Sequence, residues 1–371
     1  MKRNLILVSI CLFIIISCKK TSTTPDDNQA TTVSSYSKVT LTGTAKLSLA
    51  RIQMASVGLG NKVVFAGGFT NSLTNNGIGI VDNVDIYDIS ADKWSTAKLS
   101  EARRYISAAA AGTKMVFAGG ADYRGQASAT VDIYDINTNA WSSAKLSVAR
   151  FGISAAAIGN KIYLIGGNAG TLVIDIYDTV TNTWSSISNG VYLFSQLNTG
   201  AIGNKIIFAG GNETGLSGIS SPFYYIFDTE TNTWKSGKLS MTRSYSSSAV
   251  SLNKMVVVGN MANNNANTAE IYDATTDSWS TVQLNTPRTS SASAACANIM
   301  MFAGGIYQTN NSRYQNSIDV FNAGTGQWST SALSVARGQA SGASAGNKVV
   351  FAGGMDDFNY SAQVDIFTLS N

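Results

Sequence analysis

Seven copies of one pattern predict an all-β chain folded as a seven-bladed propeller, with four antiparallel strands per blade. Three observations carry this expectation. A glycine pair recurs at 67–68, 119–120, 166–167, 210–211, 304–305 and 353–354, and Gly259-Asn260 fills the remaining slot. An aromatic residue follows each pair, and six of the seven copies then reach a tryptophan seven residues later. The last copy stops before its tryptophan strand, while the repetitive part of the chain begins with a segment that matches the missing piece. A length of 371 residues alone suggests two or three domains. Self-similarity at a fixed period overrides that prior.

Each element of the repeat has a physical reading. ISAAAAG (106–112), ISAAAIG (153–159), SSSAV (246–250) and ASGASAG (340–346) are dominated by small side chains. Small residues suit the innermost strand, where blades converge and space tapers. A turn residue stands six positions before each glycine pair: Asn61, Thr113, Asn160, Asn204, Asn253, Asn298 and Asn347. Apolar runs such as KVVFA (62–66) read as the second strand and alternating VDIYD (84–88) as the third. The third strand ends in Tyr87-Asp88, Tyr134-Asp135, Tyr177-Asp178, Phe227-Asp228, Tyr272-Asp273, Phe321-Asn322 and Phe367-Thr368. Trp94, Trp141, Trp184, Trp234, Trp279 and Trp328 mark the fourth strand, and these rings supply apolar area for packing. Nine residues past Trp stand Arg103, Arg150, Arg243, Arg288 and Arg337. KVTLTGTAKLSLAR (38–51) matches the end of a repeat, with Thr42 at the Trp position and Arg51 at the Arg position. The N-terminal strand is therefore expected to complete the seventh blade and remove an open edge.

A double glycine, Tyr-Asp, Trp and a loop ending in Arg together resemble the kelch repeat, over about residues 38–371. The resemblance implies a kelch-type β-propeller whose last blade is closed by the N-terminal strand. Some kelch domains similar to this chain use arginines at this loop position to bind acidic peptides.

The N-terminus reads as a secretory signal. Lys2 and Arg3 form a basic start and Leu5 to Ile16 an apolar stretch too short to span a bilayer comfortably. It ends Ile15-Ile16-Ser17-Cys18, which resembles a bacterial lipobox, implying lipidation of Cys18. Several acyl chains give stable anchoring where one is marginal. Residues 19–37 are polar and read as a tether. The expected organisation is a lipoprotein signal peptide at 1–17, a flexible tether at 18–37 and the propeller at 38–371. The expected location is the bacterial cell envelope, lipid-anchored in the outer membrane at its periplasmic side or the cell surface.

Composition narrows the partners. The formal charge is +4, and removal of Lys2 and Arg3 lowers it by two. So small a balance argues against nucleic acid and against a polybasic membrane surface. A monomer touching membrane only through its lipid is expected. Cys296 is the one cysteine outside the N-terminal segment, which precludes a disulfide within the body. It reads as a buried small hydrophobe.

Almost all length variation lies between the glycine pair and the aromatic residue: 20, 15, 11, 17, 13, 17 and 14 residues. This loop joins strands two and three and shares a face with the arginine loop. Function on a rigid scaffold concentrates in such loops. The expected binding residues are Arg51, Arg103, Arg150, Arg243, Arg288 and Arg337, with Tyr105, Tyr123, Arg124, Arg313 and Tyr314. Arginine forks suit carboxylates; the bland alternative is that they tie the loop to backbone carbonyls. Phe194 replaces the seventh arginine. Asn212-Glu213, Asn263-Asn264-Asn265, Asn310-Asn311 and Asp356-Asp357-Phe358-Asn359-Tyr360 complete the loop inventory.

The chain contains no histidine, the commonest general base near neutral pH. No zinc spacing, nucleophile triad or phosphate loop is present, so no metal, cofactor or catalytic residue is assigned. The expected function is a binding module for a protein, peptide or acidic ligand. The alternatives are a glycan-binding accessory lipoprotein and a mutarotase-like enzyme acting on an acidic sugar, with Glu213 as its acid/base candidate.

Overall fold

The computed structural model describes residues 35–71, 79–168, 173–188, 195–212, 220–260, 267–307, 313–357 and 359–371. The signal segment, Cys18, Phe194, Glu213, Asn263-Asn264-Asn265, Asn310-Asn311 and Phe358 lie outside them. Within the described residues there are seven four-stranded antiparallel sheets, the seven blades. The chain enters on β1 (Lys38–Lys46) and builds blade one from β2 (Ala55–Leu59), β3 (Lys62–Ala66), β4 (Asn83–Asp88) and β5 (Lys93–Lys98). Five further blades follow in the same order, and the seventh sheet runs β1-β28-β27-β26, with β26 (Ser341–Ala345), β27 (Lys348–Ala352) and β28 (Gln363–Ser370). The expected closure is thus present: β1 pairs antiparallel with β28 from Lys38↔Ser370 to Lys46↔Gln363. A bulge between Leu41 and Gly43 takes up Thr42, at the position where other blades carry tryptophan.

Small residues line the inner strands because neighbouring blades approach there. A Cβ on Gly58 of β2 would stand 1.8 Å from the Ser344 carbonyl oxygen of β26, so only glycine fits. Inner-strand serines stitch blades together: Ser56 Oγ donates to the Gly342 carbonyl at 2.9 Å and Ser293 Oγ to the Ser248 carbonyl at 2.7 Å. Past their first residue the second strands are buried, as Val63, Val64, Phe65 and Ala66 show. The apolar clusters lie between adjacent blades, one uniting Val64 and Ile86 of blade one with Met115 and Phe117 of blade two. This is why the second strand is apolar at successive positions: both its faces meet a neighbour.

The aromatic pairs sit directly opposite one another across strands three and four, Tyr87↔Trp94 and Tyr134↔Trp141 among them. Their ring centroids are 4.9 Å apart in both. The buried tyrosine hydroxyl still finds an acceptor in the following turn, Tyr134 donating to Asn139 at 2.7 Å and Tyr177 to Asn182 at 2.9 Å. Those turn residues have φ of 57° and 56°, a left-handed geometry that asparagine tolerates well.

The start of the propeller differs from expectation at its boundary. A tether running free through residue 37 is the expectation, yet the backbone N–H and C=O of Tyr36 are both held. Its N–H donates to Asn298 Oδ1 at 2.7 Å, and its carbonyl accepts from Asn298 Nδ2 at 2.9 Å. Asn298 lies in the turn between strands one and two of blade six, so this clasp joins blade six to the strand that closes blade seven.

Candidate functional site: the axial mouth

The arginine loops and the strand two–three loops share one face. Isolated bridges connect them directly, Ile52↔Phe69↔Ile80 in blade one and Thr289↔Ile306↔Tyr314 in blade six. The arginines themselves correct the expectation. Arg51, Arg103, Arg150, Arg243 and Arg288 have no exposed surface and Arg337 has 1%. None is available to a ligand.

Each side chain instead reaches into the following blade. Arg51 Nη2 meets Asp85 Oδ2 at 2.6 Å, and Arg288 and Arg337 meet Asp319 and Asp365 at 2.7 Å each. Arg103 pairs with Asp132, Arg150 with Asp175, and Arg243 with Glu270 at 3.6 Å. Other N–H groups donate to carbonyls, above all that of the first glycine of the pair: Arg51 Nε to Gly67 at 3.0 Å, Arg150 Nη1 to Gly166 at 3.2 Å, Arg337 Nε to Gly353 at 2.9 Å; the Nε of Arg103, Arg150, Arg243 and Arg288 has no hydrogen-bond partner. The arginine's own carbonyl turns back to the preceding blade, where the Gly68 N–H donates to Arg103 at 2.9 Å. Gly67 permits this approach, because a Cβ there would stand 2.6 Å from the Arg103 carbonyl oxygen, and its φ of 65° is one that side chains disfavour. Each arginine is therefore a rivet between two blades. Burial pushes all six guanidinium pKa values down, and the facing carboxylates oppose that push.

Blade four lacks both halves of the rivet. Its strand-three residue in the acid column is Tyr225, opposite Phe208, and the incoming loop carries Phe194 in place of arginine. A buried charge without its partner is costly, whereas replacing both members by apolar groups is tolerated.

What the face does offer is an axial cavity of about 440 Å³. Its lining is Gln53, Met54, Tyr105, Gln196, Tyr245, Ser246, Ser290, Ser291, Gln339, Ala340 and Ser341, without a charged side chain. The geometry behind it is a ring. Two residues after each arginine-loop position come Gln53, Tyr105, Gly152, Gln196, Tyr245, Ser290 and Gln339, all with φ between 49° and 64°. Neighbours in the ring are linked backbone to backbone: Gln196 N–H to Gly152 C=O at 3.3 Å, Ser290 N–H to Tyr245 C=O at 2.7 Å, Gln339 N–H to Ser290 C=O at 2.9 Å.

Of the other expected residues, Tyr105 lines this mouth. Tyr123 is 48% exposed with Arg124 stacked on it at 5.0 Å, and neither reaches the cavity lining. Arg313 is exposed and sits 5.6 Å from the Tyr314 ring centre. Tyr314 is only 4% exposed, packed toward Gly338, so its expected ligand role is also corrected. Asp356 closes a turn, accepting from the Asn359 N–H at 2.8 Å. Gln53, Gln196, Ser290 and Gln339 were missed, although their fixed offset from the arginine column was a signal for them.

A family profile described as the Kelch motif matches residues 149–190. That stretch runs from the Arg150 loop through blade three, including its glycine pair and the Tyr177–Trp184 pair. No curated protein matches the chain. The chain thus carries one matched Kelch motif within a ring of seven four-stranded blades.

Proposed function

We propose that this chain is a lipid-anchored binding module of the bacterial envelope, and that its ligand enters the axial mouth on the variable-loop face. The observation that carries the reading is the mouth itself: a cavity of about 440 Å³ lined by polar, uncharged side chains on a rigid ring. That size falls within the range of small-ligand sites. Because the six arginines serve the blades, the case for an acidic ligand loses its chemical basis. A neutral polar ligand, or a polar segment of a partner, replaces it. The signal-like N-terminus ending in Cys18 and the polar stretch after it support the envelope location and the anchor.

Blocking the mouth tests this. Ser290→Trp places a bulky ring at the cavity wall, while Ser329→Trp places the same ring on the exposed outer strand of blade six. Immobilised wild-type protein and the Ser329→Trp variant are expected to retain the same envelope-derived ligand, read by mass spectrometry, and Ser290→Trp to lose it. Retention by Ser290→Trp would move the site elsewhere.

A further inference from the structure

We propose that the mouth binds a neutral saccharide, with one sugar ring lying against Tyr105. This rests on the reading of the mouth as the binding site and adds the class of ligand. The lining supplies the first argument. Three carboxamides, two phenols and four serine hydroxyls both donate and accept hydrogen bonds, and a fixed charge finds no counter-ion among them. Aliphatic contact is limited to Met54 and Ala340, so an aliphatic anchor of a protein partner finds little to pack against.

The second argument is a line of rings beside the mouth. Tyr360 lies 6.0 Å from Phe69, and Tyr105 lies 6.3 Å from Phe151, centroid to centroid. Arg104 bridges the two pairs, 5.5 Å from the Phe69 centre and 5.0 Å from the Tyr105 centre. Aromatic faces offer flat apolar area with a polar tip on tyrosine, which matches a sugar ring's C–H face and hydroxyl edge.

An orphaned atom on the lining gives the third argument. Gln53 Oε1 is shielded from water and has no hydrogen-bond partner. It accepts, so a sugar hydroxyl can donate to it where a carboxylate cannot. The terminal torsion of a glutamine is soft, so the Gln53 amide swings into the cavity at little cost. Backbone geometry adds a fourth. Left-handed positions favour glycine or asparagine, and the ring holds Gly152 in one slot. Gln53, Tyr105, Gln196 and Gln339 occupy such slots against that preference. Side-chain chemistry, not the turn, explains their presence.

The experiment is calorimetric titration of the full chain, in a detergent that contains no sugar, with neutral hexasaccharides of glucose, mannose, galactose and xylose. At least one is expected to bind saturably. Tyr105→Gly should weaken it about tenfold or more, the loss of an aromatic stacking contact. The same variant should melt at or above the wild-type temperature, since glycine is relaxed at this φ. Absence of binding by all four probes, or unchanged affinity in Tyr105→Gly, overturns the proposal. If the sugars fail while Ser290→Trp still abolishes ligand capture, the mouth stands and the saccharide falls. If Ser290→Trp changes nothing, the mouth itself falls.

Discussion

At the residue scale, the arginine rivet is the unit that decides both stability and what the face can bind. Truncating one member strands the other in the interior. Arg150→Met leaves Asp175 buried at 3% exposure with its guanidinium gone. The expected loss is about 3–5 kcal/mol, read from denaturant unfolding. Arg150→Met combined with Asp175→Leu should recover most of it, because blade four already lives without the pair. A single-variant loss below about 1 kcal/mol would mean the guanidinium contributes little where it sits. The arginine column was plain in the sequence, and acids recur at one strand-three position: Asp85, Asp132, Asp175, Glu270, Asp319 and Asp365. Their pairing was not, since spacing does not say whether a long side chain points into solvent or into the next blade. The joint change to Phe194 and Tyr225 carried that information, because charges that disappear together are charges that touch. The left-handed ring was hidden for a different reason: glutamine and tyrosine give no turn signal, and only the blade's geometry forces φ positive there.

At the scale of elements, closure depends on β1, and β1 depends on its first residues. The strand was legible from its match to the end of a repeat. The Tyr36 clasp was not, because one residue's backbone held by a side chain on another blade leaves no periodic trace. Asn298 is 3% exposed and satisfies both the N–H and the C=O of Tyr36. Asn298→Ala should cost about 1–3 kcal/mol, the price of a buried polar group left unmatched. Amide exchange localises the effect: Val39 and Leu41 are expected to exchange faster, with β2 to β5 unchanged. Uniform acceleration across all blades would instead place Asn298 in the global folding unit.

At the scale of the whole molecule, charge chemistry leaves a wide neutral window. The ammonium of Lys114 holds the Asp135 carboxyl low, Lys254 and Lys235 do the same for Asp273 and Asp277, and the Thr181 and Thr231 amides do so for Asp178 and Asp228. These groups contribute stability above the unfolded carboxylate range and lose it as pH falls through their lowered folded values. Asp319, pushed up by burial, works in the opposite direction. Burial raises Tyr87, Tyr134, Tyr177, Tyr272 and Tyr314, whose contribution is present below the ordinary phenol value and lost as pH rises through the folded ones. Burial also raises the Cys296 thiol to about 11, so its contribution starts to be lost above the ordinary thiol value; with no histidine in the chain, the melting temperature should stay flat from about pH 5 to 8 and fall on both sides. Thermal melts across that range check it, and a step near neutrality would contradict it.

The clasp at Tyr36 also sets a direction. Asn298 belongs to the short hairpins between strands one and two, at the opposite end of the blades from the arginine loops, so the chain joins the propeller at the far end from the mouth. A ligand seated in the mouth and a contact made at the short hairpins occupy opposite ends of the blades, so neither displaces the other.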